Sequence, residues 1–533
     1  MGDLSGRPAP ERSGLLSVDE ALARAREITS KPVLDVDEGD LPGVAEEVAR
    51  ILARQPRIFR RGGQPVALQI DADTGGATIV ALSAEGVVLA THAACTPVGQ
   101  RRGRDAPVTL SRRVGQLVLE LGSELPLRPL GGLCAGPILR ADGTVVASAG
   151  YDGGTQLWSR GVPDLVVPDH PTQADAAEAL RHLRELIAGY PFADAERVQD
   201  SADSTEGVDL STTPGDDETA CLAALLTAIC RPSLPLAPGI AVLAPSVSGS
   251  GAGKGTLARM LGLIANGDQP RALNAGGSVE EMDKRISAAL LAAEPMLYLD
   301  NLNDVGVRSD VLASVLTEVE VGARLLGRSE VARLHTRTLV LLTGNGMRLS
   351  EDLVRRVLTI QLDPRTEHAE SRRHRPGFLD DVMSRRTEIL SQALTIWRWG
   401  RQQEAALPHG LPLASYETWA RWVRDPLLAL GCRDPVQRIR QSKNSDPRRQ
   451  QLAEAFAVWY RRHGDRAVAV ASLDPKVLEI LDLRQRSRQA AVSELERLTG
   501  TRLAGYVLER HKSPARWSRA TYCLRRTEDS TGS

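Results

Sequence analysis

The sequence predicts an α/β protein built on a phosphate-binding loop, with an α+β unit before that core and a helical, winged-helix-like region after it. Three observations predict this class. Short apolar runs alternate with helical stretches between residues 239 and 362, the texture of a mostly parallel sheet. A segment rich in Gly and Ser, residues 248–256, lies between the first of those runs and a helix. The end of the chain reads as three helices followed by two short strands around a turn.

A chain of 533 residues exceeds one hydrophobic core, so several domains are expected. Residues 1–14 are Gly-, Pro- and Ser-rich and read as disordered. Residues 15–197 read as an α+β domain. It has helical spacing over 17–55, β-prone runs at 66–70, 77–82, 87–90 and 145–149, and a helix over 173–188. Residues 198–217 are acidic and turn-rich, and read as a linker or surface loop. The phosphate-loop domain then covers 218–370. A helix over 218–230 stops at Arg231-Pro232, strands follow at 239–244, 296–299, 338–342 and 358–362, and a helix covers 256–265. A helical region with Trp397, Trp399, Trp419 and Trp422 covers 371–448. In the last unit, 449–533, helices at 449–463, 472–481 and 486–499 precede strands at 502–509 and 520–525.

The formal net charge is −1, so no global field draws the whole molecule to nucleic acid; local basic patches would have to do so. The six Cys form no C-x-x-C pair and no zinc spacing with His, which fits a reduced compartment without a structural metal. No apolar run reaches the about 18 residues that a membrane span needs. A cytoplasmic protein away from membranes is expected.

The chemistry concentrates in Ser248-Gly249-Ser250-Gly251-Ala252-Gly253-Lys254-Gly255-Thr256. Glycines let such a loop wrap so that its amides point at phosphate oxygens, the helix start adds a positive dipole, and Lys254 adds a mobile charge. Residues 249–256 are therefore the expected nucleotide-binding set. Two positions depart from the usual pattern: Ser248 replaces the first Gly, and Gly255 replaces the Ser or Thr after the Lys. Thr256, one step later, is the remaining hydroxyl for Mg²⁺. A Gly-rich loop without a ligand is the bland alternative.

Met296-Leu297-Tyr298-Leu299-Asp300 is an apolar strand ending in an acid, the pattern in which a carboxylate holds Mg²⁺ directly or through water. Asn301 follows where many ATPases carry Glu, and Asp304 is the nearest replacement acid. The strand before Gly344-Asn345-Gly346 ends in a polar residue that can reach between a γ-phosphate and attacking water; a plain turn suits the same three residues. Arg355 and Arg356 follow ten residues on. They read either as a solvated helix end or as a pair that stabilises transition-state charge in a neighbouring subunit.

Taken in order, these segments resemble the superfamily-3 helicase ATPases of the phage and plasmid primase-helicase group, within the AAA+ class. The similar stretches are Leu325-Leu326-Gly327-Arg328-Ser329-Glu330, Thr343-Gly344-Asn345-Gly346 and Asp352-Leu353-Val354-Arg355-Arg356. Earlier ones are Phe59-Arg60-Arg61-Gly62-Gly63, Ala141-Asp142-Gly143-Thr144 and Ala149-Gly150-Tyr151-Asp152, so the resemblance covers roughly residues 45–370.

The resemblance implies an AAA+ core that binds ATP and Mg²⁺, with Lys254 on phosphate, Asp300 on the metal, Asn345 as sensor and Arg355 or Arg356 acting across a subunit boundary. It also implies a hairpin over 324–337 projecting into the channel of a homo-hexamer, where Arg324, Arg328, Arg333 and Arg337 would follow a DNA backbone; a solvated surface hairpin is the alternative. No primase catalytic segment is evident, so priming would need a separate partner. In the C-terminal unit, Arg486, Arg488, Arg510, Lys512, Arg516 and Arg519 are the expected DNA contacts. The activity expected is ATP-dependent DNA unwinding or translocation on single-stranded or forked DNA during replication of a mobile element. The alternative is an AAA+ ATPase that loads or remodels a protein partner on DNA.

Overall fold

The computed structural model describes residues 31–71, 75–162, 164–199, 206–246, 249–274, 276, 278–303, 306–324, 331–367, 376–444, 447–481, 483, 487–511 and 520–527. The molecule is a mixed α/β protein around a parallel sheet. Among the described residues no helix is long and apolar enough to cross a membrane.

The N-terminal part combines the antiparallel strands Ile58–Arg61, Gln64–Ile70 and Ala77–Ala81 with the helices Leu41–Ala53, Ala84–Ala94 and Arg112–Glu120. The strand expected at 87–90 is instead the middle of the Ala84–Ala94 helix. Ser83 caps that helix by accepting from Gly86 N at 3.1 Å. The cap and the helical register outweigh the β preference of Val87 and Val88.

The long helix Gln173–Ile187 (α1) carries a full capping box, Thr172 with Asp175. Helix α2, Asp216–Cys230, follows and is buried along almost its whole length. The central sheet comprises Gly239–Ala244 (β1), Ala272–Asn274 (β2), Met296–Asp300 (β3), Leu339–Asn345 (β4) and Val357–Gln361 (β5). Its spatial order is β2-β3-β4-β1-β5, with every neighbouring pair parallel. Helix α3, Lys254–Asn266, follows β1.

Side chains of these strands alternate between two faces. On one face Ile240, Val242, Tyr298, Leu341 and Ile360 meet α1, α2, α3 and helix α4, Arg386–Gln402. On the other, Leu297, Leu299, Val340 and Leu342 meet the helices Val279–Leu291 and Asp310–Thr317. The first of these cores runs without a break from Leu139 to Ile439, and includes Trp397, Trp399, Trp419 and Trp422. It therefore crosses the segment 198–217, expected as a linker.

The acids at the start of α2 are interior. Glu218 is gripped by Arg184 of α1, whose Nε donates to Oε1 at 2.7 Å. Asp217 Oδ1 accepts from the Gln361 amide at 2.9 Å and from Arg438 Nε at 3.0 Å, the latter on helix α5, Pro435–Asn444. The last unit has its own core, built from the helices Pro447–His463, Pro475–Ile480 and Arg488–Leu498 and a four-stranded sheet containing Tyr506–His511 and Thr521–Arg526.

Candidate functional site

Strand β1 delivers the chain to the loop, and the loop delivers Lys254 to the head of α3. Gly251 (φ 83°) and Gly253 (φ 95°) take left-handed conformations that side chains with a Cβ rarely adopt. Gly249 is hemmed in further. A Cβ there would lie 2.2 Å from Pro245 O and 2.9 Å from Asn345 Oδ1, so only Gly lets the loop pass under the end of β4. Lys254 Nζ donates to Gly249 O at 2.9 Å. Burial pulls its ammonium below the usual range, and Asp300 opposes that pull. Lysine and carboxylate therefore share one electrostatic neighbourhood.

Because β4 lies between β1 and β3, Asn345 ends beside Ala244 and Thr343 ends beside Asp300. Asp300 Oδ1 accepts from Asn301 N at 2.9 Å and from the Thr343 hydroxyl. Burial pushes the Tyr298 phenol, two residues before Asp300 on the same strand, up to about 12. Asn303 Oδ1 accepts from Asn345 N at 2.8 Å, and Leu302 N donates to Thr343 O at 2.9 Å. These bonds stitch the chain after β3 to the tip of β4. Asn345 Oδ1 is buried without a hydrogen-bond partner, an expensive state for a carbonyl oxygen that suits a group meant to meet water or phosphate.

Lys254, Asp300 and Asn345 thus converge, as do Gly249, Gly251, Ala252, Gly253 and Gly255; Ser250 lies in the same turn. Thr256 behaves differently. It is next in α3, but among the described residues the hydrogen-bond partners of Asp300 are Asn301 and Thr343, and Thr256 is not one of them. Asp304 lies outside the described residues. Thr343 and Asn303 were missed in the sequence because their approach depends on strand register.

Arg355 and Arg356 stand at the far end of the sheet, just before β5, where Arg356 O accepts from Gly239 N at 2.9 Å. The six residues of β1 put them on the order of 20 Å from this chain's own loop. Both pair with Asp352, Arg355 at 2.5 Å, and the Arg355 side chain is 58% exposed.

A hairpin pairs Glu320–Arg324 with Val331–His335, so it begins four residues before the expected span of 324–337 and ends two residues short of it. Val321, Ala323, Ala332 and Leu334 root it in the core while Arg333 faces out. Gly62 abuts it, since a Cβ there would meet Ala332 Cβ at 2.8 Å. The tip, with Arg328, lies outside the described residues, as does the side chain of Arg324. Arg337 does not fit the expected channel face. It lies beyond the strand and turns inward, donating from Nη1 to Pro232 O at 3.0 Å, because burial beside Arg61 and Arg231 leaves backbone carbonyls as its partners.

In the last unit Arg510 pairs with Glu496 at 2.5 Å. Arg486, Lys512, Arg516 and Arg519 lie outside the described residues, as does the side chain of Arg488. One further group of metal-capable side chains converges there, Glu509, His511 and Cys523, but Arg525 Nε already engages Glu509 at 2.8 Å.

No family model and no curated protein matches the sequence. Among solved structures, the apo C-terminal region of NrS-1 overlaps 86% of this chain and 96% of its own, at 9% identity and a TM-score of 0.33. The SCCmec type IV Cch active helicase overlaps 89% of this chain and 98% of its own, at 10% identity and a TM-score of 0.31. The JCV helicase overlaps 43% of this chain and 66% of its own, at 14% identity and a TM-score of 0.19. Overlaps at TM-scores this low do not define a shared fold.

Proposed function

We propose that this chain is a P-loop ATPase of the AAA+, superfamily-3-like type that couples ATP hydrolysis to unwinding or translocation along DNA. The observation that carries the ATPase reading is the convergence of three strand ends on one spot. The loop amides and Lys254 follow β1, Asp300 ends β3, and the unpaired Asn345 oxygen ends the strand between them.

The residues fit the ligands this reading requires. Loop amides and Lys254 bind the triphosphate oxygens. Asp300, kept in place by Thr343 and the Asn301 amide, is the protein's ligand for Mg²⁺, which supplies charge neutralisation when bound. Asn345 orients the water that attacks the γ-phosphorus. The attack forms a bond from the water oxygen to the γ-phosphorus while the bond from that phosphorus to the β,γ-bridging oxygen breaks; ADP leaves with the bridging oxygen, and the water's proton is released as inorganic phosphate forms.

The position of Arg355 and Arg356, at the wrong end of the sheet for their own loop, supports action on a neighbour's nucleotide and hence a ring, read as a homo-hexamer. The outward Arg333 on a core-rooted hairpin supports a DNA-facing channel. The remaining finer points, a separate primase and replication of a mobile element, rest on the sequence resemblance alone.

The test is phosphate release by the purified chain with and without forked DNA. Turnover stimulated by DNA and lowered about a hundredfold or more by Lys254→Ala is expected. Equal rates for the variant and the parent would end the ATPase reading. Lys254-dependent hydrolysis indifferent to DNA would favour the protein-remodelling alternative.

A further inference from the structure

The outer face of the last sheet gathers three side chains of the kind that hold a soft divalent cation. Strands Tyr506–His511 and Thr521–Arg526 pair antiparallel, with Glu509 opposite Cys523. Cross-strand partners share a face, and so do residues two apart on one strand, so Glu509, His511 and Cys523 stand together. Leu508, Tyr522 and Leu524 take the other face and fill the core of this unit. Cys523 is only 1% exposed, yet it is not part of that core. His511 Nε2 lies 3.1 Å from Cys523 Sγ and 3.7 Å from Glu509 Oε2. All three ligand atoms fall within 4.8 Å of one another. Tetrahedral bonds of about 2.0–2.3 Å to N, O and S put ligand atoms roughly 3.3–3.6 Å apart, so small side-chain adjustments close the set around one ion.

Imidazole, thiolate and a single carboxylate favour Zn²⁺ over the hard cations Mg²⁺ and Ca²⁺. Binding releases the thiol proton, and with three protein ligands the fourth tetrahedral position goes to water. Arg525 shares this face, and its Nε meets Glu509 Oε2 at 2.8 Å. Its side chain is 60% exposed, and an ion pair in that setting is weak, so Arg525 competes with a cation without blocking it.

We propose that Glu509, His511 and Cys523 form a Zn²⁺ site that fastens the two strands of this hairpin to each other. No sequence spacing announces it, because only strand register brings Cys523 opposite Glu509. The strands are joined through residues that include Lys512, Arg516 and Arg519, three of the expected DNA contacts. The metal thus fixes the strands from which that basic segment springs. The site stands apart from the nucleotide loop and does not depend on the ATPase reading.

The experiment titrates the full chain, reduced and metal-free, with Co²⁺ and then Zn²⁺, in the absence of nucleotide. Thiolate bound to Co²⁺ gives a charge-transfer absorption, and competition with a chromophoric chelator gives the Zn²⁺ affinity. One equivalent per chain is expected. Cys523→Ser should abolish the cobalt band and weaken Zn²⁺ binding about a hundredfold, with about tenfold for His511→Gln and for Glu509→Gln. Arg525→Gln removes the competitor and should tighten binding a few-fold; this change at an exposed side chain keeps the test open if a ligand variant fails to fold. Zn²⁺ should also slow amide hydrogen exchange in Val507–Arg510 and Tyr522–Arg525.

A parent chain without the cobalt band overturns the site, as does a band that persists in Cys523→Ser. Zn²⁺ affinity unmoved by both His511→Gln and Glu509→Gln overturns it too, and so does weaker binding in Arg525→Gln, since removing a competitor cannot loosen the metal. Exchange rates unchanged by Zn²⁺ overturn the fastening role.

Discussion

Asn301 sits at φ 59° directly after the strand acid. In that left-handed region Asn is tolerated, while Glu carries a penalty of about 1–2 kcal/mol. The absence of a second acid here therefore has a backbone reason, since the turn that lets Leu302 bond to β4 favours Asn. Asn301→Glu is expected to lose about 1 kcal/mol in urea unfolding without raising phosphate release, and Asn301→Gly should stay within a few tenths of the parent. A stable Asn301→Glu variant with faster turnover would show that the turn relaxes and that an acid was simply missing. Lys254, Asp300 and Asn345 were legible in the sequence because each ends or follows a short motif whose meaning is local. Thr343 and Asn303 were not, since each acquires its partner only when β4 is laid beside β3.

Between elements, the sequence hid its ion pairs. Asp216 and Asp217 read as the tail of a solvated linker, and Glu218 as the first residue of the helix after it. The partners come from far away: Arg184 lies 34 residues before Glu218, and Arg438 lies 221 residues after Asp217. Asp217 thereby joins α2, β5 and α5 at one carboxylate. Removing one partner of such a buried pair leaves a charge uncompensated. Arg438→Met is expected to cost about 3–5 kcal/mol in denaturant unfolding, against under about 1 kcal/mol for breaking the exposed pair of Arg50 with Glu46. Equal costs for the two would mean that Asp217 is protonated in the folded chain and needs no counter-charge. Four of the five strands of the central sheet, by contrast, were legible, with β4 running three residues past its expected end, because buried parallel strands are short apolar runs bounded by turns; Ala272–Asn274, three residues at the sheet edge, was not. The 87–90 run misled because it is apolar all round, and only its Ser cap marks a helix.

For the whole molecule, the geometry of Arg355 makes an assembly prediction. Lys254→Ala and Arg355→Ala subunits should each be inactive alone. Mixed, they should regain hydrolysis, because an intact loop of one kind then faces an intact arginine of the other. Mixtures as inactive as either parent would place Arg355 among ordinary surface residues, consistent with its bond to Asp352.

The unbroken core from Leu139 to Ile439 has a practical corollary. A fragment cut at the end of the expected linker, after residue 217, would leave behind Leu180, Leu183, Ile187 and Phe192, all buried. It would expose the greasy flank of α2 in their place, and such a fragment should aggregate on expression. Size-exclusion chromatography of that fragment beside one beginning at residue 31 would tell the two apart, and a soluble monomer from the shorter piece would mean that α1 is merely an accessory.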